Sequence, residues 1–217
     1  MASVTVGKLS GMDVRELKFP GILEFTPKVF PDDRGVFLEC FRAEPLEEAL
    51  GHRLDLVQAN HSVSRKGTVR GVHYALVPPG QAKYVYCPQG SFLDIVVDIR
   101  DGSPTFGEVD VVELNSDSRR AIYVAEGIGH AVVALEDNSS LIYLCSAGYN
   151  PKAEKGLNPL DPALALPIPS DLELLLSPKD TDAPTLAEAQ QQGLLPSYAE
   201  CEKWYATLRE RNAARPG

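Results

Sequence analysis

Thr68 to Pro104 reads TVRGVHYALVPPGQAKYVYCPQGSFLDIVVDIRDGSP, and its punctuation decides the fold. Three runs rich in Val, Ile, Tyr and Phe are cut by PPG and PQG and closed by DGSP. β-Branched and aromatic side chains fit a pleated, half-buried surface, and Pro and Gly clusters end it. Each run therefore reads as a strand and each break as a turn.

The same punctuation continues in both directions. Upstream, ILEFTPKVF, VFLECF and LDLVQANHSV are ended by DDRG and SRKG; downstream, EVDVVEL, RAIYVA, HAVVAL and SLIYLCSAGY are separated by NSDS, EGIG and EDNS. From Ile22 to about Tyr149, short strands recur with few helical windows between them, which predicts a mainly β, antiparallel sandwich or barrel with its core over about residues 21–150. AEPLEEALG interrupts as a short helix closed by Gly51.

Beyond Asn150 the composition changes. NPLDPALALPIPSDLELLLSPKDTDAP is rich in Pro, Asp and Leu, which suits an extended segment over 151–184 lying across the barrel. PTLAEAQQQG and PSYAECEKWYATLRERN each begin with Pro, read here as the helix start, and predict C-terminal amphipathic helices over 185–213. With 217 residues and 44% apolar content, one core suffices, and residues 1–217 are expected to form a single domain.

Charge narrows the function classes. A net charge of −9 argues against broad binding of nucleic acid or anionic lipid, both of which rely on clustered Lys and Arg. A local basic pocket for one phosphorylated ligand stays open. No apolar run approaches the roughly 20 residues of a membrane helix, and MASVTVGKLSGMDVRELK lacks the apolar region of a signal peptide, so a cytoplasmic location is expected. Cys40, Cys87, Cys145 and Cys201 form no CxxC pair and no zinc-like spacing. They read as separate reduced thiols, the first three packed in strands.

Strict alternation in TVRGVHYALV groups Val69, Gly71, His73 and Ala75 on one face and Arg70, Val72, Tyr74 and Leu76 on the other. It likewise groups Lys83, Val85 and Cys87; Gln58, Asn60 and Ser62; and Leu141, Tyr143 and Cys145. Singly, a strand His is most often a satisfied core residue, a Lys points to water and a Tyr is a good strand former. Jointly they weigh more, because a barrel interior gathers side chains from non-adjacent strands. A His, a Lys and a Tyr around one pocket supply a base, a cationic stabiliser and an acid, the set needed for proton abstraction next to a carbonyl. Asp180 in SPKD is a candidate to orient the His if that segment folds back over the barrel.

Metal chemistry is the rival. His73 is followed by Ala75 where a metal-binding barrel would place a second His, although AEGIGH ends in His130. Two imidazoles beside a cation make a poor divalent site, so no metal is expected. His52 and His61 read as structural.

The segments FPDDRGVFLECF, VQANHSVSRKGTVRGVHY, PPGQAKYVYCPQG, LDIVVDIRDGSPTFGE, EGIGHAVVAL, YNPKAEKGLNPLDP and LSPKD together resemble the dTDP-4-dehydrorhamnose 3,5-epimerase family. The likeness is collinear from about Gly21 to Pro184. It implies a cupin-type antiparallel jelly-roll barrel, no cofactor, a dTDP-4-keto-6-deoxy sugar as substrate, and a homodimer that exchanges a strand bringing nucleotide contacts. It also implies roles: His73 as base, Asp180 as its carboxylate, Lys83 as stabiliser of the oxygen on carbon 4, and Tyr143 as the acid on the opposite ring face. Arg34, Arg70, Gln58 and Asn60 fall where the family holds pyrophosphate and sugar, and Phe30, Glu39 and Tyr149 fall around the thymine. His130 and Lys179 complete the implied substrate-binding set.

Departures from the family pattern sit near the pocket. Ala131 and Val132 replace a Gly and an aromatic, Gly148 replaces a Tyr, and Ile168 stands where a Trp is frequent. With the C-terminal extension they resemble the antibiotic-sugar branch, and they leave carbon 3, carbon 5 or both as the site of inversion. A 3,4-ketoisomerase of the same substrate and a sugar-nucleotide-binding barrel without turnover are the alternatives.

Overall fold

The structure, a computed structural model, describes residues 5–9 and 11–215. One antiparallel sheet has seven strands, in the spatial order β1 (Thr5–Leu9), β2 (Met12–Glu16), β3 (Ile22–Thr26), β11 (Ala121–Val124), β8 (Lys83–Gln89), β13 (Ser139–Cys145) and β6 (Gln58–Ser64). A second has five, in the order β10 (Val109–Asn115), β9 (Ser91–Val97), β12 (Gly129–Ala134), β7 (Val69–Ala75) and β14 (Glu154–Gly156). Neighbours such as β3 and β11, or β12 and β7, are distant in the chain, so the strands cross between sheets in the wiring of a jelly-roll, cupin-type barrel. β4 (Val29–Asp32) and β5 (Gly35–Leu38) pair only with each other, as a separate ribbon.

The apolar runs explain the layering. In β9, Phe92 and Val96 belong to one core with Val85, Leu114, Ile122 and Leu141, while Ile95 and Val97 belong to a second with Val72, Tyr74 and Val133. Successive side chains leave a strand on opposite faces, so β9 is buried on both, and the unbroken sequence DIVV follows from that. The second core is closed by Leu157, Leu164, Leu186 and Ala189 from the Pro- and Leu-rich segment and the helix after it. Each fully buried aliphatic or Phe side chain contributes roughly 1.5–3 kcal/mol, which fixes the segment against the sheet.

Helices mark the ends of the reading. α1 (Ala43–Leu50) stops at Gly51, which adopts φ 76° and donates its N–H to the Glu47 carbonyl, as expected of a left-handed cap. α2 (Pro178–Thr181), α3 (Leu186–Gln191) and α4 (Tyr198–Ala213) follow. Pro184 and Pro196 lie one residue before the caps of α3 and α4, not at the helix start; Thr185 and Ser197 are the caps, accepting from the Glu188 and Glu200 amides. A hydroxyl can satisfy an orphan amide and a proline ring cannot. α4 turns Cys201, Trp204, Tyr205 and Leu208 inward at helical spacing.

Two further readings are corrected. Strands begin before Ile22: β1 and β2 extend the larger sheet, and Met12 and Val14 are buried in alternation. Cys40 lies after β5 rather than in a strand, whereas Cys87 and Cys145 sit in β8 and β13. All four cysteines are unpaired. Among the described residues no helix is long and apolar enough to cross a membrane.

The alternation in β7 also fails, with consequences for the site. His73 pairs with His130 and Arg70 with Val132, so three steps along β7 match two along β12. This bulge turns Arg70 and His73, three apart, to the same cavity. Gly71 makes it possible: its φ is 121°, and a Cβ there would lie 2.5 Å from the His130 carbonyl oxygen, a conformation and a clearance open to glycine alone.

Candidate active site

The main cavity, about 530 Å³, opens between the two sheets. β7 supplies Arg70 and His73, β8 Lys83, β12 His130, β13 Tyr143, and α2 Lys179 and Asp180. Five of the seven reach it from strand positions; Lys179 and Asp180 need the late segment to return. It returns because Leu175 bridges Thr68 and exchanges backbone hydrogen bonds with Gly67 and Val69, which sets Ser177 as the cap of α2 over the cavity rim.

His73 Nε2 lies 2.6 Å from Asp180 Oδ1. The other carboxylate oxygen accepts from Ser177 Oγ at 2.7 Å. Burial alone would raise the Asp180 carboxyl, but the hydrogen bonds from His73 and Ser177 outweigh it and hold it below the ordinary range. An ionised Asp180 keeps a proton on Nε2 and leaves Nδ1 as the basic nitrogen. Gly156 is the register partner of His73 in β14.

Across the cavity, burial lowers the Lys83 amine and raises the Tyr143 phenol. A phenol that stays protonated is a proton donor. Lys83 makes no hydrogen bond or ion pair among the described residues, and its side chain faces the pocket. His130 Nε2 sits 2.8 and 2.9 Å from the two oxygens of Asp94, which is fully buried. Arg70 Nε donates to Ser64 Oγ at 3.2 Å, and the residue lines the cavity.

The other sequence candidates separate into two groups. Asn60 lies opposite Tyr143 in the β13–β6 register and accepts from Gln58 Nε2 at 2.8 Å; Gln58 Oε1 in turn accepts from the Tyr149 amide at 3.1 Å. These three do not line the cavity; they lie beyond it, joined to its wall through the pairing of Asn60 with Tyr143. Phe30, Arg34 and Glu39 do not line it either. Phe30 and Glu39 border a separate cavity of about 110 Å³ with Lys28 and Arg42, and Arg34 is exposed at the ribbon tip, paired with Asp32. His52 Nδ1 is 3.1 Å from the Arg53 carbonyl oxygen and His61 Nε2 is 2.6 Å from Ser140 Oγ, away from the cavity.

Sequence reasoning missed Asp94, Ser177, Arg65 and Glu154. Asp94 carried a readable signal, an acid inside the apolar run FLDIVV. Among the described residues no three His, Cys, Asp or Glu side chains converge as a metal site would require. A His with an ionised carboxylate behind it, an amine and a protonated phenol around one pocket can remove a proton beside a carbonyl, hold the resulting oxyanion and return a proton.

Fold and cavity define a cupin-type β-barrel with acid–base groups in its interior. The family model described as dTDP-4-dehydrorhamnose 3,5-epimerase matches residues 16–188; the chain belongs to this family. It is 50% identical over 198 residues to a dTDP-4-dehydrorhamnose 3,5-epimerase of Mycolicibacterium smegmatis, covering 91% of this chain and 98% of that one. Among solved structures it matches the 4-keto-6-deoxy sugar epimerase of the novobiocin cluster of Streptomyces spheroides, with a TM-score of 0.86 and 50% identity over 90% of this chain and 98% of that one. It also matches a 3'-monoepimerase from Streptomyces bikiniensis in complex with dTDP-quinovose, with a TM-score of 0.88 and 44% identity over 89% and 98%.

Proposed function

We infer that this chain is a cofactor-independent epimerase that inverts carbon 3, carbon 5 or both of a dTDP-4-keto-6-deoxyhexose. The observation that carries the reading is the His73–Asp180 pair, 2.6 Å apart, set in one cavity with Lys83 and Tyr143. The carbonyl at carbon 4 acidifies the neighbouring C–H bonds. His73 Nδ1 takes one of these protons, the electron pair moves onto the carbon-4 oxygen, and the Lys83 ammonium holds that oxyanion. Tyr143 protonates the carbon from the other ring face, and the configuration inverts. His130, fixed by Asp94, borders the sugar.

Arg70 and Lys179 at the rim suit a pyrophosphate, to which a guanidinium pairs bidentately. Gln58 and Asn60 serve the sugar beside them, and Tyr149, 61% exposed, offers a ring face to the base. Phe30, Arg34 and Glu39 complete nucleotide binding from a second copy of the chain, so the working form is a homodimer. The exposed apolar ribbon, with Phe30 at 44% and Phe37 at 66%, supports this arrangement. The whole chain acts as one domain, since the late segment supplies both Asp180 and part of the second core. Four unpaired cysteines suit the reducing cytoplasm.

The test is proton NMR of dTDP-4-keto-6-deoxyglucose with the protein in deuterated water. Loss of the carbon-3 signal, the carbon-5 signal or both is expected and names the carbon. The reading is overturned if folded protein exchanges neither, or if His73→Ala exchanges as fast as the native chain.

A further inference from the structure

Beneath the main cavity lies a smaller one of about 10 Å³, bordered by His73, Gln81, Lys83, His130 and Glu154, the room of a single water. Glu154 closes the PKAE turn of YNPKAEKG, and β14 carries it there by pairing Glu154 with Ala75 and Gly156 with His73. Its half-buried carboxylate makes no hydrogen bond or ion pair among the described residues. Lys83 is in the same condition. An unengaged acid and an unengaged amine thus border one enclosed space.

We propose that Glu154 is a positioning residue that acts through Lys83, its carboxylate being the counter-charge that keeps the Lys83 amine in its charged form. The surrounding elements leave it that part. β11 opposes Lys83 with Val124. β13 offers Tyr143 and Cys145; an ionised Cys145 would act on Lys83 more strongly than Glu154 does, but burial raises both groups and keeps them neutral. β7 and β12 bring His73 and His130, whose carboxylates are Asp180 and Asp94. Asp94 on β9 also acts on Lys83, less than Glu154 does, and both its oxygens are held by His130. Glu154 is the carboxylate with no other partner. Burial works against a charged amine, and an opposite charge close by restores it.

The purpose of this device rests on the epimerase reading, but its test does not need turnover. Lys83 is titrated by NMR in protein with isotope-labelled lysine, its resonance assigned with Lys83→Met, in the native chain and in Glu154→Gln. The amine is expected to lose its proton about one pH unit lower in the variant. In the native chain the Lys83 resonance is also expected to move as the Glu154 carboxyl titrates, a readout that survives if the variant does not fold. For exchange of the sugar protons, the alkaline limb of the pH profile should shift down by the same amount, with the activity on its acidic side kept near native. An unchanged Lys83 titration with no response to Glu154 overturns the proposal, as does a uniform loss of activity at every pH. If the native chain exchanges no sugar proton while Lys83 and Glu154 still titrate together, the epimerase reading fails and the coupling stands.

Discussion

At the residue scale, protonation state decides what each group can do. Removing the proposed base in His73→Ala is expected to slow proton exchange by about 10²–10⁴-fold, the usual contribution of a positioned general base. Tyr143→Phe should separate the two halves of the reaction: His73 still removes and returns the proton from its own face, so deuterium enters while inversion is lost, as product NMR will read. Glu126 makes a different kind of prediction. It is buried, its Oε2 accepts no hydrogen bond, and burial pushes its carboxyl up to about 7, offset only in part, chiefly by its own backbone amide. An acid raised on folding binds more protons folded than unfolded, so stability falls as pH rises from its ordinary 4.5 toward 7. Glu126→Gln should remove that slope and gain up to roughly 3 kcal/mol at pH 8, measured as unfolding free energy against pH. Asp180 runs the other way: its folded value is depressed, so its contribution is present at neutral pH and lost as pH falls through that value.

At the element scale, the β7 bulge is the device that assembles the site. With regular alternation in place of the bulge at Gly71, Arg70 and His73 would face opposite ways and only one of them would reach the cavity. Gly71→Ala meets a positive φ and the His130 carbonyl oxygen at 2.5 Å. It is expected to cost about 1–3 kcal/mol and to lower exchange activity even at temperatures where the protein is fully folded, read by melting temperature and NMR exchange together. The turn before His130 is tied down in a similar way. α4 places Cys201 2.6 Å from where a Gly127 Cβ would be, and Tyr205 Oη donates to the Glu126 carbonyl. The C-terminal helix therefore braces the loop that delivers a cavity residue.

At the scale of the whole molecule, the exposed ribbon is the feature that one copy of the chain leaves unexplained. Val29, Phe30, Val36 and Phe37 are exposed on two strands that join neither sheet. Burying such a patch is favourable by roughly 25 cal/mol per Å², and the proposed homodimer would supply a second chain to cover it. If the proposed dimer forms through the ribbon, Phe37→Asp is expected to yield monomers by sedimentation and to raise the KM for the dTDP-sugar with less effect on kcat.

The sequence by itself determined the β architecture and the α1 stop, because strand length, turn residues and a left-handed glycine are local matters that nearby residues settle. It also carried His73, Lys83, Tyr143 and Asp180 as candidates, through the collinear family likeness. It could not place them together. His73 and Asp180 are 107 residues apart, and their contact depends on Leu175 docking beside Thr68, a long-range pairing with no local signature. The same holds for Arg70, whose face was reversed by a bulge that exists only because β7 and β12 pair out of step. Local chemistry writes itself into spacing and composition; convergence depends on how strands far apart in the chain register with one another, and only the folded molecule decides that.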